Sequence, residues 1–148
     1  TRGMNCWGWG TWHDRWKYFE KKPEKIVKRW DKNKIKRFNF NNSINFYSQI
    51  LRNYNNQLNS WAIFWYATIF SRNKLCLNPT KTFTENLGVS SDATNTKSIE
   101  NTFNSSMENN KYHTFIYPNK IVENNEIYKN IRRRFKRNKY KNILKKFL

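Results

Sequence analysis

The sequence predicts a mainly α-helical chain with a few short strands, on three observations. Apolar side chains recur at intervals of three and four along several stretches. Aromatic residues supply 18% of the 148 residues, and each buries a large area, so a core is within reach although only 37% of the chain is hydrophobic. The stretches are separated by Pro, Gly and Asn, the residues that end helices. The length fits one domain or part of one.

The elements follow in order. In GMNCWGWGTWHDRWKYF, residues 3–19, the side chains Trp12, Trp16 and Phe19 stand at i, i+4 and i+7, a helix stripe after a Gly-rich loop, with Thr11 as its cap. Pro23 opens a second short helix over Glu24 to Trp30. Asp31 to Asn42 is polar and reads as irregular. Ser43 caps a third helix that carries Ile44, Tyr47, Ile50 and Leu51 on one side. NSWAIFWYATIFSRN, residues 59–73, is the strongest element: Asn59 or Ser60 caps it and its apolar residues cover most faces, so it is buried. Arg72 and Lys74 suit its C-terminal end. Leu75 to Leu77 and YHTFIYP, ending at Pro118, are short extended runs. Between them, residues 81–96 form a loop and 97–112 a polar linker. Glu123 to Leu148 reads as one broken helix or two in succession, with stripes Ile127, Ile131, Phe135 and Tyr140, Leu144, Leu148.

The formal net charge of +19 favours nucleic acid, anionic lipid or phosphorylated substrates. More than half of that excess sits in residues 129–148, which hold ten Lys and Arg and no acid. Bases interleaved with Phe135, Tyr140, Ile143 and Leu144 suit a helix lying on an anionic membrane face, or a packed C-terminal helix with one solvated basic side. Two distant cysteines, Cys6 and Cys76, and two histidines, His13 and His113, do not make the spacing of a zinc site, and the cysteines read as reduced thiols with no catalytic partner. No apolar run reaches the ~20 residues that cross a bilayer. The chain starts at Thr1 rather than Met and reads as a fragment. Asn is about one residue in six, which with abundant Lys, Ile and Tyr points to A/T-rich codons.

The Trp and Gly residues of the opening stretch alternate instead of forming a helical stripe. Such a loop bends sharply at its glycines, and indole faces suit the apolar C–H faces of sugar rings; ordinary core packing is the competing reading. GMNCWGWGTWHDRWKYF, NSWAIFWYATIF and LCLNPTKTFTENLGVSSDATNT together, in this order, resemble the C-terminal portion of bacterial family-2 sugar transferases of the GT-A fold. The three motifs span residues 2–96. The resemblance implies an α/β, Rossmann-like parent fold of which residues 1–96 are the acceptor-side part, followed by the linker 97–112 and the strand and basic helices of 113–148. It implies transfer of a sugar from a nucleotide-sugar donor to a glycan or lipid-linked acceptor, in surface polysaccharide synthesis at the cytoplasmic face of the membrane. It places Trp7, Gly8, Trp9, Gly10 and Trp12 on the loop beside the sugar. Trp61 and Trp65 fall on the helix that presents the catalytic base, and Asn86, Gly88 and Asn95 on the turn of the third motif. A divalent metal, Mg²⁺ or Mn²⁺, belongs to the D-x-D motif of such enzymes, and these 148 residues contain no D-x-D.

Two positions depart from that pattern. An inverting transferase needs a carboxylate to take the proton of the acceptor hydroxyl, yet the motif's acidic positions hold Asn59 and Ala62. Asp92 and Asp14 are the nearby acids, Asp92 as candidate base or turn residue and Asp14 as a surface residue paired with Arg15 or Lys17. Asn95 stands where the motif has histidine. These departures predict that the isolated chain is inactive, as a remnant or as a scaffold for a separately encoded half. A basic nucleic-acid-binding module is the alternative from a different class; it accounts for charge and aromatics but not for the ordered motifs.

Overall fold

Residues 63–70 are buried without a break. In a computed structural model, which describes residues 1–84 and 114–144, six helices follow one another: α1 His13–Trp16, α2 Pro23–Arg29, α3 Lys32–Phe38, α4 Tyr47–Tyr54, α5 Ala62–Ser71 and α6 Asn125–Leu144. The described residues are mainly helical and contain no strand. Two compact units divide the chain. The first holds Thr1–Met4, Thr11–Cys76 and Ile121–Leu148; the second holds Asn5–Gly10 and Leu77–Lys120.

All six helices belong to the first unit. Helix α4 packs against α2 and α5, through Ile50, which is fully buried, and Tyr47, which stacks on Trp30 at 6.4 Å. Phe38 lies flat on Tyr66 at 4.3 Å, and the Tyr66 hydroxyl donates to the Phe38 carbonyl at 2.8 Å. That bond satisfies a phenol that burial otherwise isolates. Burial also pushes the Tyr66 phenol far above its ordinary range.

Asn performs the task usually given to Gly at helix ends. Asn56 and Asn73 adopt the left-handed conformation at φ 57° and 52°. The next amides, of Gln57 and Lys74, then reach back to the carbonyls of Arg52 at 2.7 Å and Ile69 at 3.0 Å. These are the six-to-one bonds of a Schellman ending, closing α4 and α5. Phe40, Asn41 and Asn42 form a run of three left-handed residues, φ 49°, 53° and 61°. For L-residues each costs roughly 1–2 kcal/mol, less for Asn. Phe40, 1% exposed, offsets this by burial. Its ring meets Phe46, Tyr66, Tyr128 and Phe135 at 5.4–6.4 Å. Gly3 comes so close that an added Cβ would sit 2.8 Å from the ring.

Several expected features take a different form. The first helix is a single turn with Trp12 at its cap position, and Thr11 caps nothing. The segment expected to be irregular contains α3, capped by Asp31, whose Oδ1 accepts from the Lys34 amide at 2.6 Å. Its stripe is only Ile35 and Phe38 among many charges, too sparse for periodicity to register. Ser43 does not cap α4, because the chain makes its left-handed turn there and the helix starts at Tyr47. Asn39 Oδ1 accepts from the Tyr47 amide at 2.9 Å instead, and Asn45 Oδ1 from that of Ser48 at 3.1 Å. Neither Asn59 nor Ser60 caps α5; Trp61 holds the cap position without a side-chain bond. The Ser60 amide donates to Asn53 Oδ1 at 3.0 Å.

The expected strand at Leu75–Leu77 reduces to one pairing: the Cys76 amide donates to the Thr1 carbonyl at 2.7 Å, and the Thr1 nitrogen to the Cys76 carbonyl at 3.1 Å. The described part of the second extended run, residues 114–118, is not in a strand either. Helix α6 is continuous, and Asn124 caps it by accepting from the amides of Glu126 and Ile127, both at 3.0 Å. Its inward stripe is Tyr128, Ile131 and Phe135, with Ile127 left outside.

Arg2 and Glu123 join the N-terminal residues to the approach of α6. The Arg2 amide and Nε donate to the carboxylate at 2.8–3.1 Å, Nη2 donates as well, and the guanidinium lies 5.1 Å from the Tyr128 ring centre. Burial of Glu123 acts to raise its carboxyl, but the bonds from Arg2 together hold it below the usual range. A depressed carboxyl stabilises the fold above its unfolded pKa, about 4.3, and loses that contribution as pH falls through the folded value. E123Q is therefore expected to cost about 1–3 kcal/mol at neutral pH. The difference from the native chain, read by urea unfolding, shrinks once the pH falls below about 4. Ser43, 1% exposed, has a hydroxyl with no hydrogen-bond partner. S43A is expected to leave stability unchanged or raise it by up to about 1 kcal/mol; a loss of that size would mark a capping serine.

Candidate functional site

In the first unit, the single turn α1 is held against the start of α5 by aromatic rings. Trp16 stacks on Phe19 at 4.7 Å, nearly parallel at 5°, and presents its edge to Trp65 at 5.1 Å and Trp61 at 6.3 Å. Edge-to-face and offset geometries of this kind are each worth about 0.5–1.5 kcal/mol beyond area burial. A four-residue helix cannot persist alone, so these contacts give α1 its position. The Glu20 amide adds a bond to Thr68 Oγ1 of α5 at 3.4 Å. The first and second sequence motifs thus form one indole wall. Trp65 is its buried backing, 5% exposed, while Trp61 is half open and Trp12, at 75%, stands out in solvent.

In the second unit, the same opening stretch meets the third motif. Asn5 Oδ1 accepts from the Trp7 amide at 3.1 Å, and Gly8 then turns at φ +60°. A Cβ on Gly8 would fall 2.1 Å from Thr84 Cγ2. The glycine is thus required twice, by its left-handed backbone and by close approach. Gly10 has open space where its Cβ would be. Trp7 and Trp9 are partly exposed on this loop. Phe83 and Phe115 face each other at 6.1 Å. Asn86, Gly88, Asp92 and Asn95 lie outside the described residues, as do His113 and the linker 97–112.

At the base positions of the second motif, Asn59 is exposed, its Oδ1 accepting a bond from Lys21 Nζ, and Ala62 is a half-buried helix residue. Neither holds or takes a proton. Asp14 pairs with its neighbour Arg15 at 3.3 Å on the surface. Glu20 was not singled out by any motif, yet it follows Phe19 of the wall directly. Lys25 at 2.9 Å and Lys22 at 3.3 Å hold its carboxyl below the usual range, which makes it a weak base. A second missed feature is a cleft of about 100 Å³ beside the Arg2–Glu123 pair, into which Arg37 and Lys74 also face. Its residues are far apart in sequence, so no spacing could reveal it.

Among the described residues no three His, Cys, Asp or Glu come together to hold a metal ion. Asp14, Glu20 and Glu123 are each engaged by a cation. These residues do not fit the divalent ion of the D-x-D motif. Burial raises the thiols of Cys6 and Cys76, which keeps them protonated and poor nucleophiles. No described helix is long and apolar enough to cross a membrane. No family model, curated protein or solved structure matches the chain.

The two glycines of the loop give an internal comparison. G8A is expected to weaken packing of residues 5–10 on 77–84 by about 1–3 kcal/mol. G10A should be close to neutral. Hydrogen exchange of the two segments reads the difference; equal effects would show that the left-handed turn at Gly8 is not required.

Proposed function

We propose that this chain is the acceptor-side portion of a bacterial family-2-like glycosyltransferase, serving transfer of a sugar from a nucleotide donor to a glycan or lipid-linked acceptor. The observation that carries this reading is the contact of Trp16 with Trp61 and Trp65. Trp16 and Trp61, 45 residues apart in sequence, build one aromatic wall in which Trp61 stays partly open to solvent, and Trp12 stands exposed one helical turn before Trp16. An indole face in solvent offers a sugar ring an apolar platform without fixing which sugar it takes. Gly8 against Thr84 adds that the first and third motifs also meet.

In such a transfer the acceptor oxygen attacks the anomeric carbon, the bond to the nucleotide diphosphate breaks, and a base takes the hydroxyl proton. The residues here bind and orient the acceptor. The described residues supply no base at the motif's positions, where Asn59 and Ala62 stand, and the sequence contains no D-x-D to hold the donor phosphates. The chain's contribution is therefore substrate positioning, with donor binding assigned to a D-x-D-bearing partner segment.

The 148-residue chain alone is expected to show neither sugar transfer nor donor hydrolysis. Neutral oligosaccharides are expected to quench its tryptophan fluorescence, and W12A and W61A each to weaken that binding about two- to tenfold, the loss of one aromatic contact. Transfer by the isolated chain would overturn the positioning role. Silence towards all saccharides, with tight, steeply salt-dependent binding of single-stranded RNA, would replace this reading with a nucleic-acid-binding module.

A further inference from the structure

Helix α6 separates its two properties onto opposite sides. Tyr128, Ile131 and Phe135 pack into the core of the first unit. That stripe is therefore not available to insert into a bilayer, as an amphipathic interfacial helix would require. The other side is one-signed. Lys129, Arg133, Arg134, Lys136, Arg137 and Lys139 are all exposed, and no acid follows Glu126. Lys129 and Arg133, and then Arg133 and Arg137, stand four apart. Arg133 and Lys136, and Lys136 and Lys139, stand three apart. Like charges at these spacings repel and weaken a helix. An extended anionic surface relieves that repulsion along the whole face at once.

A second observation concerns aliphatic residues at the same end of the same unit. Ile121 is 91% exposed and Val122 68%, directly before the Asn124 cap, and Ile127 in the first turn is also exposed. Three branched aliphatic side chains in water at the head of a polybasic helix have a physical use at the boundary of headgroups and acyl chains. A nucleic acid would be met by planar rings instead, because bases stack on aromatic and guanidinium faces. Tyr140 is the one exposed aromatic residue on the described part of this helix.

We infer that the solvent face of α6, with Ile121, Val122 and Ile127 at its head, docks the protein on an anionic phospholipid surface. The basic side chains lie over the headgroups and the aliphatic residues enter the interface, while the inward stripe stays in the core. Attachment is peripheral and reversible. The inference does not rest on the glycosyltransferase reading, since docking needs neither donor nor acceptor; the two fail separately.

The test is co-sedimentation of the 148-residue chain with vesicles of phosphatidylcholine alone or with about one-third phosphatidylglycerol. Binding is expected only to the anionic vesicles and should fall steeply as salt rises from about 0.05 to about 0.5 M. R133Q/K136Q/R137Q removes three surface charges, each worth about fivefold, and should weaken binding about a hundredfold. I121S/V122S should weaken it about tenfold. Both variants leave the buried stripe intact, and unchanged circular dichroism and tryptophan emission verify the fold. Equal binding to neutral vesicles, unchanged affinity in either variant, or complete displacement from anionic vesicles by an equal charge of single-stranded RNA overturns the inference.

Discussion

The first unit depends on one buried ring in an unusual backbone. Phe40 points inward because Phe40, Asn41 and Asn42 all take the left-handed conformation, which turns the chain sharply between α3 and α4. The ring then touches residues from the connection before α4, from α5 and from α6, and blocks any side chain at Gly3. Strain of a few kcal/mol persists in a backbone only when surrounding packing over-determines it. Here four aromatic neighbours do so. The long C-terminal helix is anchored at the same point, since Tyr128 and Phe135 are two of those neighbours.

A second constraint runs through the opening stretch. Residues 3–19 contribute to both units: Asn5–Gly10 to one, Thr11 onward to the other. In the first unit the stretch supplies the indoles that meet α5, and in the second it supplies the glycine that meets Thr84. The alternation of large and small residues reflects these two demands. Tryptophans provide contact area where helices are too short to hold themselves, and Gly8 allows the backbone between them to turn and come close.

The electrostatics divide the molecule as well. The described carboxylates nearest the indole wall and the α6 approach are tied to Lys or Arg, and their function is to fix backbone and side-chain positions. The cations of the outer α6 face have no acid on their own helix after Glu126. Carboxylates that fix positions and an exposed basic helix face thus lie on different parts of the first unit. The two proposed roles use different residues, the open indoles for sugar positioning and α6 with the aliphatic residues at its head for membrane docking.

Helical class, the buried run of α5, the break at Pro23 and the basic character of α6 follow from residue order, because periodicity and breakers are local properties. So does the reading of Trp7 to Gly10 as a loop and not a helix stripe. Helix α3 escaped the sequence reading, since two apolar residues among charges give little signal. The caps proposed at Thr11 and at Asn59 or Ser60 also failed, since Trp12 and Trp61 hold those cap positions without a side-chain bond, and at α4 Asn39 and Asn45 reach the first amides in place of Ser43. Which indole is backing and which is face, Trp65 against Trp61, depends on how α1 is pressed onto α5. The Arg2–Glu123 bond joins residues 121 apart. Sequence alone determined where five of the six described helices form and where charge collects; only tertiary structure decided which faces are covered, because burial is set by residues distant along the chain.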